Sequence, residues 1–119
     1  MKENIIKTKS FEFALRIVKF SQFLQTEKKE FTISKQVLRS GTSIGANIRE
    51  AEHAESKIDF IHKVSIALKE ANECEYWLEL LLKSEIIDDK MYMSLNDDLS
   101  EILKLLISII KTSKINKNI

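Results

Sequence analysis

Apolar residues in this chain recur at alternating steps of three and four, the pattern of helices that each bury one stripe against their neighbours. Four segments keep the rhythm. From about Ser10 to Lys29 the seam is Phe13, Ile17, Phe20 and Leu24, with Ser10 as candidate N-cap. Phe11, Leu15 and Val18 form a second stripe there, so more than one face seeks burial. From about Ser34 to Glu55 the seam is Val37, Gly41, Ile44, Ile48 and Ala51. From about Lys57 to Lys83 it is Phe60, Val64, Ala67, Ala71, Cys74, Leu78 and Leu81. From about Asp89 to Ser113 it is Tyr92, Leu95, Leu99, Ile102, Leu106 and Ile109, widened by Leu103 and Ile110.

Local signals set the boundaries. Ser56 and Asp59 match a capping box with Asp in place of Glu or Gln, which separates the second helix from the third. Without that cap, the alternative is one continuous helix over residues 34–83. Asp88 is a candidate N-cap, and Asp89 suits the positive end of the helix dipole. Residues 114–119 are expected to fray. The reading is an all-α protein: a single four-helix-bundle domain over residues 1–119, antiparallel and up-down-up-down.

Composition supports few, long helices. The 119 residues include two glycines and no proline, too little turn chemistry for a sheet protein of this size. Both glycines lie in the stretch Arg39–Ala51, and the helical period passes through it unbroken. Each interior glycine costs about 0.8–1 kcal/mol relative to alanine, which calls for a reason. Gly41 and Gly45 are four apart and share a face on which another backbone could approach closely. A phosphate-binding loop is the sharper reading, but no Gly-Lys-Ser/Thr follows and no strand precedes.

Equal rise along two antiparallel helices joined near residues 55–56 pairs positions whose numbers sum to roughly 111. Arg39 then falls beside Glu70 and Glu73, and an ion pair is expected there. Gly41 and Gly45 should face the stretch from Ile66 to Glu70. Asn47 lies level with Lys63 and Val64, so Arg39 and Asn47 together would fix the register. Glu70 and Glu73 also have the spacing of an acid/base pair, but no nucleophile accompanies them, which favours structural pairing. The stripe Ile66, Glu70, Glu73, Trp77 and Leu80 adds a tryptophan to a helix whose core seam is already complete. Ile66, Trp77 and Leu80 are therefore read as a subunit interface, and the chain as a homo-oligomer.

Net charge is +1, but it is unevenly spread. Residues 1–49 carry ten Lys/Arg against four Asp/Glu, and residues 50–119 nine against fourteen. Pairing between the halves is the first explanation, and a basic binding surface the second. The topology gathers Lys2, Lys7, Lys9, Arg49, Lys57, Lys111, Lys114 and Lys117 at one end of the bundle. Such a cluster can neutralise nucleic-acid phosphates, although Glu50, Glu52, Glu55 and Asp59 blunt it. No aromatics interleave the lysines, so base stacking is not indicated.

Glu50-x-x-His53 and Asp59-x-x-His62 echo the di-iron bundles, which carry Glu-x-x-His on two helices. Both pairs hug a turn, however, and the first and fourth seams contain no acid. Neither a metal nor a cofactor is called for, and no strained nucleophile turn is present. Cys74 is alone, so disulfides and cysteine zinc sites do not enter. No leader and no apolar run approaching the ~20 residues of a membrane span is visible, which points to a cytoplasmic setting away from membranes.

Gln36, Arg39-Ser40, Ser43-Ile44, Ala46-Asn47-Ile48, Glu50-Ala51, Asp59-Phe60-Ile61, Ala67-Leu68-Lys69-Glu70-Ala71, Glu73 and Tyr76-Trp77-Leu78 together carry a resemblance. Over about residues 10–112 the chain resembles the bacterial four-helix-bundle family linked to intervening sequences of 23S ribosomal RNA genes. A related branch comprises the accessory proteins of diversity-generating retroelements. The resemblance implies an antiparallel bundle that assembles into rings, with a pentamer expected, and a non-catalytic association with nucleic acid. The retroelement branch is strongly basic, whereas this chain is near neutral. The resulting expectation is a non-enzymatic oligomer that binds RNA or a nucleic-acid–protein complex through its basic end. The alternatives are a protein-interaction scaffold without nucleic acid and, more remotely, a di-metal oxidase.

Overall fold

In the computed structural model, residues 2–116 are described, with side chains over residues 5–115. Four helices follow in order: α1 (Lys2–Glu27), α2 (Ile33–Ala51), α3 (Lys57–Lys83) and α4 (Asp89–Asn116). Each packs against its chain neighbour, and α1 closes the ring against α4. The contacts run in opposite chain directions. On α1, Lys7 meets Glu52 and Ser21 meets Ser34; on α3, Lys63 meets Glu50 while Glu70 meets Arg39. On α4, Glu101 meets Lys9 and Asp98 meets Arg16. The bundle is antiparallel and up-down-up-down.

Its centre is made of the expected seams. Phe13, Ile17, Leu24, Val37, Ile44, Cys74, Leu78, Leu99, Ile102 and Leu106 are buried almost completely. Tyr92 and Phe60, placed in the seams by their spacing, are only half-buried at the edges.

Several boundaries differ from expectation. Ser10 is not an N-cap. α1 begins at Lys2, and the buried Ser10 hydroxyl donates to the Lys7 carbonyl at 3.2 Å. Ile6, one heptad before Phe13, is 1% exposed, so the core draws the helix back beyond the serine. At its other end α1 stops at Glu27 and reverses through Lys29, which has φ 54°. α2 begins at Ile33 and ends at Ala51 rather than near residue 55. Its first turn is capped by Glu30, whose carboxylate accepts from the Ser34 N–H at 2.7 Å and the Thr32 N–H at 3.3 Å. No motif signalled that cap.

Between α2 and α3 the break is real. The Ser56 hydroxyl accepts from the Asp59 N–H at 3.0 Å, and the Asp59 carboxylate accepts from the Glu55 N–H at 3.3 Å. α3 ends in a left-handed residue, Glu85 with φ 63°, where the Glu85 and Ile86 N–H groups bond to the Leu82 and Leu81 carbonyls. The Asp88 carboxylate accepts from the Met91 N–H at 2.8 Å and starts α4. That helix continues through Asn116, and residues 117–119 of the tail expected to fray lie outside the described residues.

Candidate functional site

The two glycines face α1, not α3. A Cβ added at Gly41 would lie 2.8 Å from both γ carbons of Ile17. One added at Gly45 would lie 3.4 Å from the Ser10 carbonyl and hydroxyl oxygens. Helical geometry explains the correction. Each residue turns about 100°, so Gly41 points roughly 200° away from Arg39, and only one of them can face α3. Small residues thus bring the α1 and α2 backbones together, reinforced by the Ser21 hydroxyl donating to the Ser34 carbonyl at 3.1 Å.

Arg39 reaches α3 instead. Its guanidinium pairs with Glu70 at 2.9 Å and with Glu73. Glu73 also accepts from the Trp77 indole N–H at 3.2 Å, and the Trp77 ring meets Tyr76 edge-on at 5.0 Å. About two turns away along α3, Lys63 pairs with Glu50 at 3.0 Å, which raises the lysine pKa through the hydrogen bond to that carboxylate. Arg39 and Lys63, not Arg39 and Asn47, therefore bridge the two helices. The Asn47 amide donates to the Ser43 carbonyl of its own helix at 2.8 Å. Next to Glu73, on the core side of α3, Cys74 is sealed from solvent, and burial pushes its thiol pKa up to about 12.

Of the residues read as a subunit interface, Ile66, Trp77 and Leu80 are half-buried within the chain. The large aromatic side chain beside them that faces solvent is Tyr76, 60% exposed. Its place next to Trp77, off the core seam, was the signal for it. On the opposite side of the bundle the second α1 stripe is left open: Phe11, Leu15 and Val18 are 49%, 53% and 38% exposed. Beside it, Phe11, Ala14, Thr42, Gly45, Ala46 and Arg49 line a recess of 310 Å³, and the Arg49 guanidinium lies 5.1 Å from the centre of the Phe11 ring.

The basic end is partly neutralised within the chain. Lys7 pairs with Glu52 at 3.1 Å, and Lys9 pairs with Glu101 at 2.8 Å, a hydrogen bond that raises the Lys9 pKa. Lys111 and Lys114 are exposed and make no ion pair among the described residues. The Lys2 side chain and Lys117 lie outside the described residues. Of the Glu/Asp-x-x-His pairs, Glu50 is held by Lys63 and Asp59 by the helix cap, while His53 and His62 are exposed. Among the described residues no three His, Cys, Asp or Glu side chains are grouped so as to hold a metal. No described helix is long and apolar enough to cross a membrane.

These features define a small antiparallel helical bundle with an aromatic, acidic face on α3 and an open apolar stripe on α1. The family model for the 23S rRNA-intervening sequence protein matches residues 2–108, and the chain belongs to that family. It is also similar to a crystal structure from Bacteroides thetaiotaomicron, a protein with unknown function from the S23 ribosomal protein family. Identity is 66%, coverage 93% of this chain and 99% of the other, and the TM-score 0.92. No curated protein matches.

Proposed function

We propose that this protein is a non-enzymatic bundle that assembles with copies of itself and acts as a scaffold. The observation that carries this reading is the open α1 stripe of Phe11, Leu15 and Val18. Three large apolar side chains at i, i+4 and i+7 on one exposed face are what a partner helix covers. The α3 face supplies the complement. Tyr76 projects from a surface carrying Glu75 and Glu79, whereas the recess beside the α1 stripe carries Arg49. Copies joined head to tail, Tyr76 into that recess, bring opposite charges together, and such contacts close into rings when the rotation allows. The pentamer implied by the family resemblance is of this kind.

Light scattering tests the reading. The wild-type chain is expected to be oligomeric. Leu15→Asp and Tyr76→Arg are each expected to block assembly without changing the helical circular dichroism. Mixed, the two variants should form one-to-one pairs, because each keeps the face the other has lost. A wild-type monomer at NMR concentrations would overturn the proposal.

A second reading rests on Lys111 and Lys114, exposed and without an ion pair among the described residues, and on membership of a family named for 23S rRNA intervening sequences. In this reading the assembled scaffold holds RNA, or an RNA–protein complex, at its basic end. Reversing both charges should then abolish salt-sensitive RNA retention. Unchanged retention removes these two lysines from the binding surface, and no retention by the wild type leaves the scaffold without nucleic acid.

A further inference from the structure

We infer that the groove between α1 and α4 binds a small anionic amphiphile: a carboxylate carried on an apolar chain or ring. The groove is open to solvent and measures 520 Å³, within the range of about 300–1,000 Å³ typical of small-molecule sites. Phe20, Phe23, Met91 and Leu95 line it, with Phe20 and Leu95 only 6% and 3% exposed, so its floor is part of the core surface. Met91 is the adaptable member, an unbranched thioether that conforms to varied shapes.

The charges at the rim select the sign of the ligand. Lys19 and Lys90 flank the floor, one from each helix, and neither side chain makes a hydrogen bond or ion pair among the described residues. The acid in the lining, Asp88, caps the Met91 N–H at 2.8 Å and keeps its charge, so one carboxylate stands against Arg16, Lys19 and Lys90. Arg16 closes one end, held by Asp98 at 2.7 Å and by the Ser94 carbonyl at 3.1 Å. Apolar carbon fits the floor and a carboxylate fits between the two free lysines. A polyanion would leave the floor uncovered. A long acidic helix along the seam would run into the neighbouring cavity, where Glu85, Asp88 and Asp89 outnumber Lys28 and Lys83. A compact ligand within the one groove meets neither difficulty.

This site is separate from the proposed assembly faces, since none of Phe11, Leu15 and Val18 lines the groove and Phe11 borders the recess against α2. The test is NMR titration of the full chain with dodecanoate below its micelle concentration. Dodecyltrimethylammonium, with the same chain and opposite head charge, serves as the control. Saturable shifts are expected at Phe20, Phe23, Met91 and Leu95. Affinity should fall about tenfold or more both for the cationic control and for a Lys19→Gln, Lys90→Gln double variant, a loss on the scale of one strong charge contact. Both lysines are exposed, so that variant should keep its fold, checked by circular dichroism. The inference is overturned by no saturable binding, by equal affinity for the two head groups, by undiminished binding in the double variant, or by shifts centred on Phe11 and Leu15. Oligomeric state, read separately, bears only on the scaffold.

Discussion

α1 forms two seams, and they are built differently. Toward α2 the contacts are glycine and serine: Gly41 beneath Ile17, Gly45 beneath Ser10, and Ser21 against the Ser34 carbonyl. Toward α4 the contacts at the rim are ion pairs, Lys9–Glu101 and Arg16–Asp98, and past Arg16 large side chains hold the helices apart around a groove. The same helix is therefore locked on one side and open on the other. The difference lies in side-chain volume. Where a Cβ is missing, backbones approach; where phenylalanine and methionine face each other at an unfilled edge, a cavity remains.

Three substitutions break or sharpen this contrast. The largest effect is expected from Gly41→Ala. Its new methyl would sit 2.8 Å from the fully buried Ile17, and overpacking of this kind costs about 1–3 kcal/mol, partly offset by alanine's better helix propensity. Chemical denaturation should show a net loss of stability, and a neutral result would mean that this seam is not locked. On the open side, Arg16→Ala removes a partly exposed pair and should cost about 0.2–1 kcal/mol, with the difference from wild type shrinking as salt is added. A loss as large as that of Gly41→Ala would reverse the ranking of the seams. The smallest effect is expected at Gly45→Ala. Its Cβ would meet Ser10 at an ordinary 3.4 Å, so the helix gains part of the ~0.8 kcal/mol propensity difference and is slightly stabilised. Opposite signs at two glycines one turn apart would localise the tight contact to Ile17.

Much of this architecture could be read from residue order alone. The core seams are legible because heptad spacing persists through whole helices, and Ser56 and Asp88 are legible because caps use few side chains in fixed geometry. The start of α1 was not. Ser10 has the chemistry of a cap, but Ile6 lengthens the buried stripe and tertiary packing overrides the local signal. The Arg39–Glu70 pair followed from antiparallel register, whereas the direction of the glycines required angle as well as height along the axis. Asn47 had the right height too, but its amide found a nearer carbonyl in its own helix. For the candidate sites, the α1 stripe was visible as a second period. The α1–α4 groove was not, because it depends on how far two helices separate, which no spacing within either helix encodes.

Cys74 has a practical consequence. Its sulfur is out of reach of solvent, and its proton is held far above neutral pH, so a thiol reagent meets neither the access nor the thiolate it needs. Modification then has to wait until α3 parts from its neighbours, and the labelling rate becomes a stopwatch for that opening. The chain carries its own reporter of internal breathing, at the depth where α2 and α3 are stapled by Arg39, with no dye or engineered residue required.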